Sequence, residues 1–324
     1  MVVYVLCPDE DTPTGGVKIL YRHVDVLCQI GIPATIVHAS RGFRCSWFEN
    51  TTPVIDRSQL DLEPDAIVVL PEVLAHETAY RFPGAHKVIF NQSGSLTFRG
   101  YPVDGGVGET PYFDPEVLAT LVISEHVERY MRHSFPEMPL ARVRWSIDPS
   151  VFHDSCAKKN QICFMPRKHP EEATQVFNIL RFRGALDHFT VAPIDNLGER
   201  GVAGLMGESL LFFSFGYPEG LPLPPAEAMA SGCVVVGYHG FGGAEYLKAG
   251  ISYPIPVADV LEFAITAERV LEEAVADRSS VLEMGERASA FVAKEYSCER
   301  EIEEIRQAWS TILALKRTGN DRSA

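Results

Sequence analysis

Short apolar runs alternate with longer amphipathic segments along the first half of the chain. The segment from Val17 to Cys28 carries apolar residues at roughly helical spacing, and Gly31 follows as a natural helix C-cap. The apolar runs have the length of buried strands, and they span residues 2–7, 33–39, 65–71, 86–92 and 119–125. This alternation predicts a parallel sheet with helices on both faces.

The same alternation starts again after a joint-like segment, VRWSIDPSVFH. Further strands are predicted at residues 162–166, 188–193, 210–215 and 233–238, with helices over 171–184 and near 201–209. The tail from about residue 258 to 316 has heptad-like apolar spacing and is predicted to be mostly helical. We therefore expect two similar α/β domains, the first ending at residue 147, with a cleft between them.

Residues 211–245 carry the strongest chemical pattern in the chain. A buried run leads to Glu219, a Gly/Pro-rich turn follows, and Glu227 is predicted in the first turn of a small-residue helix ended by Gly232. A second buried run and a glycine-rich loop with Glu245 come next. Open α/β sheets bind ligands at the carboxyl edge of their strands, and helix N-termini favour anions. A ligand with both hydroxyls and phosphates, such as a nucleotide sugar, would suit this site.

Composition and charge narrow the class of protein. The 324 residues are 46% hydrophobic and 22% charged, as in ordinary globular enzymes, and the formal net charge is -14. A charge of this sign argues against nucleic acid as the main partner. Five basic residues lie close together in sequence and could still meet an anionic acceptor or a membrane surface: Arg129, Arg132, His133, Arg142 and Arg144. The favoured interpretation is a solvated helix face and loop.

The start of the chain and the cysteines bear on location. The first residues lack the basic start and cleavage site of a secretory signal, and no apolar stretch approaches the roughly 20 residues of a membrane span. The seven cysteines are scattered without a Cys-x-x-Cys pair, which indicates reduced, mostly buried thiols. We expect a cytoplasmic protein with no integral membrane segment.

Three segments carry a resemblance to a known family. EGLPLPPAEAMASGCVVVGY, with glutamates eight residues apart around a Gly/Pro loop, resembles the signature of family-4 retaining glycosyltransferases (glycosyl transferases group 1). RWSIDPSVFH resembles their interdomain linker, and FMPRKHPEEA resembles the place where they carry a basic pair after the first strand of the second domain. Gly15 and Gly16 ahead of a helix match more weakly.

The resemblance implies the GT-B fold, with two facing Rossmann-like, doubly wound domains and a cleft between them. It implies that a final helix, about residues 303–324, packs back on the first domain and leaves residues 148–302 to bind the donor. It also implies a metal-independent hexosyltransferase of glycan biosynthesis that needs no cofactor, takes a UDP- or GDP-linked sugar and retains its anomeric configuration. The acceptor is not identified.

Roles for the charged residues follow from that chemistry. Arg167 and Lys168 are expected to stabilise the leaving diphosphate, whose negative charge grows as the glycosidic bond breaks. Glu219 is expected to contact the donor sugar, and Glu227 to accept hydrogen bonds from both ribose hydroxyls. Plainer interpretations stay open. Arg167 and Lys168 could be a solvated basic pair, and Glu219 could be a carboxylate that caps the turn. Glu227 could be an acid that complements the helix dipole.

Small and polar residues complete the expected site. Gly16, Gly242 and Gly243 are assigned to donor binding because glycines let the backbone approach a phosphate, and Leu223 is assigned to the same site. Gly15 and Gly16 could equally form a plain tight turn. Acceptor residues are expected from the first domain: Asn91 and Gln92 at a strand end, and His76. Many members of the family carry a histidine near that strand end, where this chain has amides, and no general base is assigned.

Other interpretations remain. Asp9-Glu10-Asp11 resembles a metal-binding DxD but is assigned to a polar loop, so no metal site is expected. Pro222 stands where the family usually has glycine and removes a backbone donor. It favours a non-catalytic nucleotide-sugar-binding subunit, which the joint presence of the two basic and two acidic residues opposes. An epimerase or hydrolase on the same fold would need a well-placed acid or base, and the sequence shows no clear candidate.

Overall fold

The computed structural model describes residues 1–63, 65–78, 81–103, 110–154 and 157–323. The chain divides into two compact units, the first made of residues 1–145 and 299–324 and the second of residues 146–298. Across the described residues, no helix combines the length and the apolar character that crossing a bilayer requires.

The first unit is built around a seven-stranded parallel sheet with strand order β3-β2-β1-β4-β5-β6-β7. Its strands are β1 (Val3–Leu6), β2 (Ala34–His38), β3 (Val54–Asp56), β4 (Ile67–Pro71), β5 (His86–Asn91), β6 (Val117–Val122) and β7 (Leu140–Arg142). Its helices are α1 (Gly15–Gln29), α2 (Glu72–Thr78), α3 (Glu125–Ser134) and α9 (Cys298–Ser323). The strand order reverses between β1 and β4, which is where doubly wound sheets form their ligand crevice.

Helix α9 returns to the first unit through buried polar contacts. The Trp309 indole N–H donates to His23 Nε2 at 3.0 Å, and the Arg22 guanidinium meets Glu301 at 2.9 Å. Burial lowers the pKa of His23 to about 3, so the ring is neutral at physiological pH and can accept that hydrogen bond. These contacts tie the end of the chain to α1.

The second unit has a five-stranded parallel sheet with strand order β12-β11-β10-β8-β9. Its strands are β8 (Lys159–Phe164), β9 (Thr190–Pro193), β10 (Ser209–Ser214), β11 (Val234–Tyr238) and β12 (Tyr253–Ile255). Its helices are α4 (Pro170–Phe182), α5 (Glu199–Glu208), α6 (Leu223–Ala230), α7 (Val260–Ala276) and α8 (Arg278–Glu295). Here the order reverses between β8 and β10, and doubly wound sheets form their ligand crevice at such a reversal.

Strand residues of the second unit alternate between two covered faces. On one face, Phe213 and Val236 join a core cluster with residues of α4 and α7. The neighbouring residues Phe212 and Val235 point to the other face, where α5 and α6 contact β8, β10 and β11. Both faces are apolar because both are covered, which explains the continuous apolar runs in the sequence.

The parallel α/β architecture predicted from the sequence is confirmed, with three strands added. Strands β3, β7 and β12 were not predicted. Each has three residues, lies at the edge of its sheet and pairs with one neighbouring strand. The strand-like start expected at residue 143 lies just after β7, which ends at Arg142. Runs this short leave no periodic pattern, so only pairing with a neighbouring strand defines them.

Candidate functional site

A cation and a carboxylate meet at the β8–β10 reversal of the second unit. Lys168 follows β8 and Glu219 follows β10, and the Lys168 ammonium group lies 2.5 Å from Glu219 Oε1. Their side chains are 47% and 27% exposed, so both remain accessible to a ligand. Arg167 is exposed beside Lys168. Two of the predicted site residues, 51 positions apart in sequence, are therefore in contact.

The turn that presents Lys168 is held by an aromatic stack. His169 adopts a left-handed conformation with φ 45°, and its ring stacks on Tyr217 with centroids 3.9 Å apart and planes within 3°. His169 Nε2 lies 2.6 Å from the Tyr217 carbonyl oxygen and donates to it. The Tyr217 hydroxyl in turn donates to Glu172 at 2.6 Å. This network fixes the backbone next to Lys168, and nothing in the sequence indicated it.

Main-chain hydrogen bonds clamp Glu219 against the glycine-rich loop after β11. The Glu219 amide donates to the Gly240 carbonyl at 2.8 Å, and the Gly242 amide donates to the Glu219 carbonyl at 3.1 Å. A Cβ atom on Gly242 would lie 1.7 Å from the Gly220 carbonyl oxygen. The close approach of these two loops therefore requires glycine at position 242. The expected role of Gly242 in donor binding stays a prediction.

Glu227 lies in a different turn from the predicted one. Helix α6 begins at Leu223, four residues before Glu227, so this carboxylate belongs to the second turn and not the first. Pro224 and Pro225 lie inside the first turn, which the sequence analysis had assigned to the preceding loop. Proline is tolerated there because the first amides of a helix have no intrahelical acceptor. Glu227 and Pro224 are partly exposed, while the other residues of this helix are buried.

Acidic side chains converge around a buried tyrosine behind the loop. The Tyr246 hydroxyl donates to the Pro222 carbonyl, and Pro222 also lies against Gly243. Burial raises the pKa of Tyr246 well above its ordinary value, and the charges of Tyr296, Glu245, Glu219 and Glu227 raise it further. The Tyr296 hydroxyl donates to Glu245 at 2.7 Å. Tyr296 lies between α8 and α9, so Glu245 contacts the segment that connects these two helices.

In the first unit, Gly16 and Gln92 meet at the carboxyl edge. Gln92 Nε2 donates to the Gly16 carbonyl at 3.2 Å, and its Oε1 atom is buried with no hydrogen-bond partner among the described residues. Gly15 and Gly16 are the first two residues of α1, although they had been expected ahead of the helix. A buried amide oxygen without a partner is uncommon in folded proteins.

The other two predicted acceptor residues, Asn91 and His76, differ in burial: Asn91 is buried and His76 is half-buried. Asn91 is fully buried, and its amide donates to Thr97 and Tyr112. Its side chain therefore supports the fold at the end of β5. His76 lies on α2 with its ring 4.2 Å from that of Tyr101.

Glu72 is a buried carboxylate that the sequence analysis did not select as a candidate site residue. It is 6% exposed at the start of α2, directly after β4. Burial raises its pKa to about 7, even though the amides of Gln92 and Ser93 donate to it. A carboxylate placed directly after the apolar run DAIVVLP was the available signal, because strands of a doubly wound sheet end at the ligand edge.

The acidic triplet near the N-terminus anchors a loop. Asp9 accepts hydrogen bonds from the amides of Ala39 and Ser40 at 2.9 and 2.7 Å, and Asp11 accepts from the Ser46 amide at 2.7 Å. Within residues 1–63, 65–78, 81–103, 110–154 and 157–323, no group of three or more acidic, His or Cys side chains could hold a metal ion.

The basic residues of α3 and β7 are partly neutralised. Arg132 pairs with Glu128 at 2.7 Å, and Arg142 pairs with Glu125 at 3.3 Å. Arg132 is 61% exposed, and an exposed pair of this kind contributes about 0–1 kcal/mol, whereas Arg142 is only 16% exposed.

The chain is similar to known proteins both in sequence and in structure. The chain is 25% identical over 239 residues to an alpha-1,6-glucosyltransferase of Actinobacillus pleuropneumoniae serotype 7 (strain AP76), covering 70% of each protein. No family model matches the chain.

Its structure is similar to that of a sucrose-phosphate synthase from Thermosynechococcus elongatus, with a TM-score of 0.73 and 12% identity over 97% of this chain and 99% of that one. It is also similar to HepE from Anabaena, solved in complex with UDP-glucose, with a TM-score of 0.67 and 11% identity over 96% and 100%. At these identities the structural likenesses show a shared fold, which is the GT-B fold expected from the sequence.

Proposed function

We propose that this chain, a group 1-like glycosyltransferase with the GT-B fold, moves a hexose from a nucleoside diphosphate to an acceptor hydroxyl with retention of configuration and without a metal ion. The observation that carries the proposal is the contact between Lys168 and Glu219 at the β8–β10 reversal. It joins a cation suited to a diphosphate with a carboxylate suited to a sugar at the edge where such sheets bind ligands.

The proposed chemistry uses fixed charges. As the bond between the anomeric carbon and the phosphate oxygen breaks, the acceptor oxygen bonds to that carbon from the same face. The acceptor proton passes to the departing phosphate oxygen. Lys168 and Arg167 stabilise the growing phosphate charge more than the ground state, while Glu219 faces the positive charge that develops on the sugar.

Neighbouring groups bind the rest of the donor. Glu227 accepts hydrogen bonds from the ribose diol, and its partial exposure on α6 fits that role. Gly242 and Gly243, and Leu223 at the start of α6, line the diphosphate and sugar. The close loop approach at Gly242 supports this assignment.

The first unit supplies the acceptor side. Gln92, which is partly exposed at the end of β5, is assigned to the acceptor hydroxyl, with Asn91 supporting that loop and His76 on α2. Gly16 lies in contact with Gln92 at the start of α1, where amide groups could meet the donor phosphates. No side chain is assigned as general base, because the leaving phosphate takes the proton.

The relatives suggest which donor to try first. The sequence relative is named a glucosyltransferase, and HepE was solved with UDP-glucose, so we propose a UDP-linked hexose with a GDP-linked one as the next candidate. Six described cysteines are free thiols, which supports a reducing compartment such as the cytoplasm.

Three measurements test the function. Thermal shift with UDP, GDP and ADP should show stabilisation by one nucleotide, and the matching nucleotide sugar should then release that nucleotide only when an acceptor is added. NMR of the product should show the anomeric configuration of the donor. Release without acceptor would indicate a hydrolase, and binding without any turnover would indicate a non-catalytic subunit.

A further inference from the structure

Phe241 has a backbone conformation that side chains rarely adopt. Its φ and ψ are 78° and -66°, the values of a γ-turn with positive φ, which is rare and strained. It lies within the sequence Gly240-Phe241-Gly242-Gly243, so it is the only residue of this turn that carries a side chain. Glycine would adopt the same conformation with little strain.

Surrounding contacts force Phe241 into this conformation. Its backbone forms an isolated parallel bridge with Glu219. The Phe241 amide donates to His239 Nδ1 at 3.1 Å, and its carbonyl accepts from the Ala244 amide at 3.2 Å. The turn is therefore over-determined by its neighbours, which is the condition under which local strain persists at functional sites.

Burial does not fully account for the aromatic ring. The side chain is 38% exposed, while Gly242 and Gly243 beside it are buried. More than a third of Phe241 therefore stays in contact with water, and its ring contacts the His239 ring with centroids 6.2 Å apart. The bridge also holds the Phe241 main chain beside that of Glu219, the residue assigned to the donor sugar. Aromatic side chains line ligand sites because a rigid apolar face meets the ligand with little loss of entropy.

We infer that the Phe241 ring forms an apolar wall of the donor-sugar subsite and packs against the C–H face of the hexose of a nucleoside diphosphate sugar. The inference rests on the proposed function and adds a residue that contacts the sugar and not the nucleotide. Glu219 then meets the polar, charge-bearing part of the sugar and Phe241 its apolar part. The ring discriminates between the nucleotide sugar and the free nucleotide.

The test compares Phe241→Leu and Phe241→Gly with the wild type by calorimetry, using UDP and UDP-glucose, then GDP and GDP-mannose, and then ADP and ADP-glucose. Phe241→Leu should bind the nucleotide within about twofold of wild type and the nucleotide sugar about fivefold to tenfold more weakly. Phe241→Gly should show the same selective loss with an unfolding temperature no lower than wild type, because the strain is relieved. Phe182→Leu, which alters an 87% exposed ring at the end of α4, is the matched control and should bind both ligands normally.

Three other outcomes would overturn the inference about Phe241. Equal affinity of wild type and Phe241→Leu for the nucleotide sugar would overturn the wall. Equal losses for nucleotide and nucleotide sugar would assign the ring to the nucleotide or to loop integrity and would also overturn it. If wild type binds none of these ligands in the panel, the proposed function itself fails and the inference fails with it.

Discussion

The Lys168 ammonium group lies 2.5 Å from Glu219 Oε1, although the two residues are 51 positions apart in sequence. Each follows a different strand, and the reversal of strand order between β8 and β10 brings the two strand ends together. The pair is partly exposed, so its contribution to folding is small, about 0–1 kcal/mol. Its role is therefore better sought in ligand binding than in stability.

The first prediction concerns this pair. Lys168→Ala should lower kcat by about 10²–10³-fold, because a fixed cation on the leaving diphosphate is lost. Glu219→Gln should lower turnover comparably. Both variants should unfold within a few degrees of wild type. The measurement is nucleotide release with the donor that binds in the thermal-shift panel.

A second exposed pair on β8 provides the control. Lys159 contacts Glu208 at 2.5 Å at the opposite end of the same strand. Lys159→Ala should leave turnover unchanged. Full activity in Lys168→Ala, or equal losses in both lysine variants, would contradict the assignment.

The second prediction concerns loop packing. Gly242→Ala would place a Cβ atom 1.7 Å from the Gly220 carbonyl oxygen, so the two loops must separate. We expect a loss of about 1–3 kcal/mol in the free energy of unfolding and of most nucleotide affinity. Urea unfolding and nucleotide calorimetry measure the two effects. Gly198→Ala is the control, because a Cβ atom there meets nothing within 4 Å. A stable Gly242→Ala protein that binds nucleotide normally would refute the proposed role of this loop.

The third prediction follows from the buried Glu72. Its folded-state pKa is raised from 4.5 to about 7, so its contribution to stability is fully present below pH 4.5 and is lost as pH rises through 7. A shift of this size corresponds to about 3 kcal/mol. Relative to wild type, Glu72→Gln should therefore gain stability by an amount of that order between pH 4.5 and 8, because the amide does not titrate.

Urea unfolding of wild type and Glu72→Gln across this pH range measures the effect. The exposed Glu137→Gln is the matched control and should follow the wild-type pH dependence. Parallel pH profiles for wild type and Glu72→Gln would show that Glu72 ionises normally.

The fourth prediction separates the acidic triplet from catalysis. Burial raises the pKa of Asp9, but hydrogen bonds from Ser40 and Ala39 and the nearby His38 outweigh it and lower the pKa overall. Its stabilising contribution is therefore present above the ordinary value of 3.8 and is lost as the pH falls through the lower folded-state pKa. Asp9→Asn should lower stability by about 1–3 kcal/mol without changing kcat at temperatures where the protein is folded.

Metal removal completes this test. Turnover should be the same with EDTA as with added Mn²⁺ or Mg²⁺, because the proposed mechanism uses fixed side-chain cations at the diphosphate. Restoration of an EDTA-inactivated protein by Mn²⁺, together with inactivity of folded Asp9→Asn, would establish the triplet as a metal site.

The sequence by itself determined the architecture and the chemical types at the site. Continuous apolar runs such as LLFFSF predicted strands covered on both faces, and the two glutamates eight residues apart predicted a ligand site after β10. These features are local, because strand burial and turn chemistry are recorded in neighbouring residues. The edge strands β3, β7 and β12 were not predictable, because three residues carry no period.

Only the tertiary structure decided which groups meet. The contact of Lys168 with Glu219, the unpaired Gln92 Oε1 beside Gly16, and the burial that shifts the pKa of Glu72 all join segments distant along the chain. The strained turn at Phe241 likewise depends on its bridge to Glu219, more than 20 residues earlier. The strand order of the sheets sets these contacts, and that order follows from the packing of the whole unit and is not recorded in any single segment.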